Sequence, residues 1–91
     1  MIYDARSLEP DQIFETDLLI IGAGPAGITI AQKFAGTSIR VTLLESGADG
    51  YNYDAQDLNR GAITGIHAEP LDASRLRLFG GTSNHWAGWC R

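Results

Sequence analysis

Gly22, Gly24 and Gly27, inside the run GAGPAG, carry the G-x-G-x-x-G spacing. Each position suits a separate purpose, respectively a tight turn out of a strand, a close approach of backbone to a pyrophosphate, and a close approach of helix to strand. The chemistry of such a turn is anion binding, because the N–H groups that open the following helix have no acceptor within it and the helix dipole favours negative charge there. Pro25 and Ala26 fill the gap between the glycines, and proline is tolerated at a first helical position because its missing N–H would be unpaired anyway. Glu45 stands 23 residues after Gly22, closing a second apolar run. There its carboxylate can accept hydrogen bonds from an adenosine ribose, and it would repel a ribose 2′-phosphate. Ser46 beside it joins the same candidate site. The plainer reading is a glycine turn with a surface glutamate.

A second cluster lies in RLRLFGGTSNHWAG, residues 75–88, with Gly80, Gly81, Thr82, Ser83, Asn84, His85 and Trp86 in succession. Charge is distributed unevenly around it. Six acids against Arg60 alone lie between Glu45 and Asp72, whereas every charged residue after Asp72 is an arginine: Arg75, Arg77 and Arg91. An acidic middle followed by a basic stretch points to an anionic partner for the latter, with a solvated mixed surface as the alternative.

These residues need elements to hold them. Leu18–Ile21 is a continuous apolar run closed by glycine, the pattern of a strand buried on both faces. Ile28, Ala31, Gln32 and Phe34 continue a helical period after Pro25, and Gly36, Thr37 and Ser38 end it. In IRVTLLESG, Ile39, Val41 and Leu43 alternate and Leu44 extends the run, which predicts a second strand. Strand, glycine turn, helix and strand in this length make a βαβ unit, so the predicted fold class is α/β, a Rossmann-like βαβ unit incomplete as a stand-alone domain. Residues 1–15 read as a leading arm without clear period, 16–47 as the βαβ unit, 48–73 as an excursion and 74–91 as the second binding segment. Within the excursion, DAQDLNRGA has room for one short helix.

The chain has 91 residues and a formal charge of −4, which argues against a nucleic-acid surface. Its longest apolar run, LLII, is far short of a membrane span. The start has no basic leader ahead of an apolar core, so no secretory signal is read there. Cys90 is the only cysteine, which excludes an internal disulfide and a cysteine-rich zinc site, and no metal site is expected. A reducing, cytoplasmic setting is the expectation.

DLLIIGAGPAGITIA resembles the ADP-binding element of FAD-dependent oxidoreductases. RLRLFGGTSNHWAG resembles the second flavin-binding stretch of the glucose–methanol–choline (GMC) oxidoreductases, and more closely their pyranose-oxidase-like and sugar-dehydrogenase members, with Arg77, Gly80, Gly81, Thr82, Ser83, His85 and Trp86 on the pattern and Arg75 at a further basic position. The resemblance covers residues 16–47 and 74–91. It implies FAD as cofactor and hydride transfer from an alcohol carbon, that of a sugar or glycoside, to the flavin. It implies that the Gly-Gly backbone and its neighbouring hydroxyls lie along the flavin diphosphate and ring, with Arg75 and Arg77 complementing the diphosphate. His85 falls where some members bond covalently to the flavin and others only contact it, and both versions stay open. Trp86 and Trp89 read as packing aromatics or a flavin shelf, His67 as a surface residue. The family's catalytic base lies near the far C-terminal end, so no catalytic residue is expected in this segment, and the remainder of the same enzyme is the expected partner. A stand-alone nucleotide-binding or assembly module and a fragment of an NAD-dependent dehydrogenase are the alternatives.

Overall fold

A computed structural model describes residues 1–66 and 68–85; His67 and residues 86–91, including Trp86, lie outside the described residues. A parallel two-stranded sheet forms from β1 (Leu18–Ile21) and β2 (Val41–Leu44), joined through helix α1 (Pro25–Lys33). Leu18 pairs with Val41, Leu19 with Thr42, Ile20 with Leu43 and Ile21 with Leu44. The chain is thus an α/β fragment built on a Rossmann-like βαβ unit. Two short helices follow, α2 (Tyr53–Asp57) and the single turn α3 (Leu71–Ser74), and 3-10 turns lie at Ala5–Ser7 and Gly81–His85.

Local chemistry accounts for these boundaries. Pro25 occupies the first turn of α1, where its fixed φ and missing N–H cost nothing. The helix stops at Lys33, and Gly36 at φ 79° takes the chain away. At the far end of the sheet Thr16 Oγ1 donates to the Arg40 carbonyl at 2.8 Å. Asp17 there receives the Arg40 side chain at 2.9 and 3.1 Å. The ladder therefore starts from a pinned edge. Asn52 caps α2 by accepting the Ala55 N–H at 2.9 Å.

Three expectations change. The first strand is not buried on both faces: Ile20 is 8% exposed, but Leu19 is 50% and Ile21 82% exposed, because one helix covers one face only. The second strand begins at Val41, two residues later than its apolar pattern, since the Arg40 carbonyl is occupied by Thr16, Asp17 and Leu18 at the ladder's start. The excursion helix is shorter and earlier than DAQDLNRGA, and α3 is an addition that no apolar period announces. Ile20, Ala23 and Leu78 are the buried apolar residues among those described. So small a core matches a βαβ unit that is incomplete by itself.

Candidate functional site

The first turn is built as its glycines require. Gly22 adopts φ 99°, a left-handed conformation that favours glycine, and its N–H donates to the Leu44 carbonyl at 2.7 Å, so the turn leaves the sheet at the last rung of the ladder. Gly27 is buried against that turn: a Cβ there would overlap the Gly22 carbonyl oxygen and lie 3.3 Å from Ile20 Cγ2. Gly24 is different in kind. A Cβ on it would meet nothing within 4 Å, because it faces open space beside the N-terminus of α1. No acidic residue lies in the first turn of that helix.

Glu45 has a structural role that its position at the strand end does not reveal. Its Oε2 accepts the Ala23 N–H at 2.7 Å and its Oε1 accepts the Gly47 N–H at 2.8 Å, with Ser46 Oγ donating at 3.4 Å. The carboxylate ties the glycine turn to the chain leaving β2. Partial burial by itself pushes the Glu45 carboxyl up, but the N–H bonds from Gly47 and Ala23, with Ser46, outweigh it and hold the group below the usual carboxylate value. Oε2 accepts a single bond and keeps a further lone pair, which leaves acceptor capacity for a ribose hydroxyl.

The second segment docks on the first. Leu78 bridges Ala48 in parallel, the Phe79 N–H donates to the Ala48 carbonyl at 2.9 Å, and the Gly80 N–H donates to the Ala23 carbonyl at 2.7 Å. Gly47 makes room for this: a Cβ there would overlap the Arg77 carbonyl oxygen and lie 2.5 Å from Leu78 Cα. The consecutive glycines Gly80 and Gly81 both have positive φ, 88° and 60°, and a Cβ on Gly81 would touch Gly24 Cα at 3.4 Å. The two glycine motifs, far apart in sequence, are in contact.

Between them lies a cleft of about 480 Å³, lined by Gly24, Pro25, Glu45, Ser46, Arg75 and Arg77, by Gly81, Thr82 and Ser83 of the second turn, and by Asn59 and Leu76. Nine residues expected at the site thus share one wall or another of it. Gly22, Ala26, Gly27 and Gly80 are not in the lining; Gly22, Gly27 and Gly80 shape the turns behind it. Asn84 closes its own turn, donating from Nδ2 to the Phe79 and Gly81 carbonyls at 3.0 and 2.9 Å. Ser83 Oγ donates to the Gly80 carbonyl, and Thr82 Oγ1 accepts the Leu76 N–H at 3.1 Å. His85 is exposed at the end of the Gly81–His85 turn and does not line the cleft. The expectation for Trp86 falls outside the described residues.

Two residues in the excursion were not foreseen. Gln56 is 5% exposed, and its side chain donates to the Asp72 and Arg75 carbonyls at 2.8 and 2.6 Å while accepting the Arg77 N–H at 3.0 Å. Asn59 Oδ1 accepts from Arg77 Nε at 3.0 Å. A buried amide satisfied on all sides fixes the stretch of chain that carries both arginines. The sequence signal was faint: polar residues on the one helical stretch of a turn-rich segment.

Among the described residues the arginines of the cleft have no carboxylate partner. Arg6, Arg40 and Arg60 each pair with a carboxylate, whereas among the described residues Arg75 and Arg77 have no ion-pair partner. Arg75 donates to the Ser74 carbonyl, and Arg77 to Asn59 and to Ser46 Oγ at 2.8 Å. Two cations with neutral partners thus line the same cleft as Gly24 and Pro25 at the N-terminus of α1, an arrangement with the donor chemistry an anion requires.

Residues 17–58 match the family of lycopene cyclase proteins. Over 63 residues the chain is 50% identical to the ubiquinone hydroxylase UbiM of Neisseria meningitidis, across 69% of this chain and 11% of that protein. Over 64 residues it is 43% identical to dihydrolipoyl dehydrogenase 3 of Haloarcula marismortui, across 67% of this chain and 13% of that protein. All three comparisons overlap the stretch that holds the Rossmann-like βαβ unit, and the two relatives are by name a hydroxylase and a dehydrogenase. The segment spans only 11% and 13% of the length of the curated relatives it matches. No solved structure matches the chain. The family match ends at residue 58, ahead of the second glycine motif, so it does not bear on residues 74–91.

Proposed function

We propose that the cleft binds the ADP half of FAD within a flavin-dependent oxidoreductase whose remaining parts complete the flavin site and supply the catalytic base. The observation that carries this reading is the convergence on one cleft of the α1 N-terminus, of Arg75 and Arg77, whose partners among the described residues are all neutral, and of Glu45 with its spare acceptor capacity. The donor set fits the group. Gly24 leaves open the space that a Cβ would fill, the first-turn N–H groups of Ala26 and Gly27 have no acceptor within the helix, and Arg75 and Arg77 offer cationic donors to a diphosphate. Glu45 takes the ribose hydroxyls at the other side. Similarity to a hydroxylase and a dehydrogenase supports the oxidoreductase class.

The second motif supports a finer assignment. Arg75, Arg77, the Gly80–Gly81 pair and the Thr82–Ser83 hydroxyls keep the GMC pattern, and that stretch is hydrogen-bonded to the first phosphate turn through Gly80 and Ala23. We therefore favour a GMC-type enzyme that oxidises an alcohol of a sugar or glycoside. When bound, FAD accepts the hydride in such chemistry. This segment's residues bind and orient the cofactor, and His85 acts toward the flavin ring as a tether or a contact.

The test is isothermal titration of the full-length protein, freed of cofactor, with FAD and with NAD⁺, followed by acid precipitation of the holoprotein. FAD bound at least about a hundredfold more tightly than NAD⁺ supports the reading. Preference for NAD⁺, or absence of a flavin spectrum in the purified protein, overturns it. Yellow colour in the acid pellet assigns the covalent version of His85, and colour in the supernatant the contact version.

A further inference from the structure

Arg77 is held unusually for a cation beside a phosphate site. Its backbone N–H goes to Gln56 Oε1, its Nε to Asn59 Oδ1 at 3.0 Å, and its Nη1 to Ser46 Oγ at 2.8 Å. All three acceptors are neutral. Arg6, Arg40 and Arg60 each meet a carboxylate, of Asp4, Asp17 and Asp57 respectively, while Arg75 donates to the Ser74 carbonyl. A carboxylate would aim the guanidinium equally well, but it would also cancel its field. Two of the five guanidinium hydrogens are engaged, and three remain for a ligand in the cleft that Arg77 and Asn59 both line.

We propose that Asn59 is a charge-preserving positioning residue: its neutral amide oxygen aims the Arg77 guanidinium into the cleft without neutralising it, and thereby sets the preference for phosphate-bearing over neutral adenosine ligands. The inference rests on the assignment of the cleft as an ADP site. Asn59 directly follows Leu58, the C-cap of α2, and its N–H donates to the Gln56 carbonyl at 2.9 Å. Its place is therefore set by the same helix whose Gln56 holds the arginine-bearing stretch. Asn59 Nδ2 also leans on the Arg75 carbonyl at 3.4 Å, so one amide contacts both arginine positions.

The test uses full-length protein freed of cofactor, with ADP and adenosine as probes and calorimetry at several salt concentrations. Asn59→Asp keeps an oxygen on Arg77 Nε and adds a charge. It should weaken ADP binding by about tenfold or more, the scale of one charge-assisted hydrogen bond, and flatten its salt dependence. Adenosine affinity should stay within about twofold, because no anionic group is lost. Asn59→Ala, which removes both the Nδ2 contact and the Oδ1 that aims Arg77 but adds no charge, should lose some ADP affinity, less than Asn59→Asp, and keep the salt dependence. In an Arg77→Gln background Asn59→Asp should cost nothing further, since it acts through Arg77. Independent, additive effects of the two changes would instead mean direct repulsion of the ligand and overturn the proposal. So would equal losses for ADP and adenosine, equal losses in Asn59→Asp and Asn59→Ala, or no loss at all. If Asn59→Asp does not fold, Ser46→Asp places a carboxylate against Nη1 from the other side and must show the same pattern through Arg77. A wild-type protein that binds FAD and ADP while these variants behave as controls sinks only this inference; a wild type that binds neither sinks the cleft assignment with it.

Discussion

Gly24→Ala and Gly27→Ala add the same methyl group three residues apart, and the structure predicts opposite phenotypes. At Gly27 the new Cβ overlaps the Gly22 carbonyl oxygen, lies 3.2 Å from its carbon and 3.3 Å from Ile20 Cγ2. Two of those atoms are backbone and cannot rotate away, so α1 must lift from the sheet. Overpacking of this kind costs about 1–3 kcal/mol, and the backbone partners put Gly27 at the upper end. Replacing glycine inside a helix by alanine returns about 1 kcal/mol of propensity. The net expectation is a loss of about 2 kcal/mol in denaturant unfolding. At Gly24 the backbone is extended, with φ −77° and ψ −179°, and the Cβ meets no protein atom within 4 Å. Alanine is the poorer N-cap residue, but it restricts the unfolded chain, so stability should change by no more than about 0.5 kcal/mol. The methyl group instead occupies the approach to the phosphate. Loss of one charge-assisted hydrogen bond there costs about 1.5–3 kcal/mol, or roughly ten- to a hundredfold in FAD dissociation constant. The paired assay is urea unfolding and FAD titration on both variants. A Gly24→Ala protein with wild-type FAD affinity refutes the phosphate turn, and a Gly27→Ala protein of wild-type stability refutes the packing of α1.

Gly47→Ala should undock the second segment, because its Cβ overlaps the Arg77 carbonyl; amide exchange at Phe79 and Gly80 should accelerate while the β1–β2 ladder keeps its protection. The Glu45 carboxyl is held below its ordinary value in the folded protein, so its contribution is complete above the usual carboxylate range and fades as pH falls through the lowered folded value. Exchange at Ala23 and Gly47, whose N–H groups it accepts, should show that acid-side loss, and Glu45→Gln should abolish the pH dependence of both amides. Asp17 should titrate at about 2, since side-chain and backbone hydrogen bonds from Arg40 favour its charged form. Carbon-detected NMR on Arg40→Gln should move it back toward the ordinary aspartate value; an unmoved titration would separate the strand-edge pair from its assigned cause.

The βαβ unit was legible because its signals are local. An apolar run, glycines at fixed spacing and a proline at a helix start act through φ/ψ restriction and short-range packing, and each can be read in a window of about a dozen residues. The boundaries that moved did so for tertiary reasons: one helix leaves Leu19 and Ile21 open, and the Arg40 carbonyl gathers three donors before β2 begins.

The site divides in the same way. Gly22, Gly24, Gly27 and Glu45 could be named as candidates from spacing, and Arg75 and Arg77 from the uneven distribution of charge, because charge and the absence of a Cβ are properties of residue type. Tertiary structure alone decided that Glu45 clamps the Ala23 turn, that Gly80 docks on Ala23, and that Gln56 and Asn59 hold Arg77 with neutral acceptors. The side-chain bonds among these join residues 18 to 22 positions apart, and the Gly80 bond reaches back further still. A hydrogen bond of that reach depends on where the chain returns after its turns, and no periodicity in the intervening residues records it.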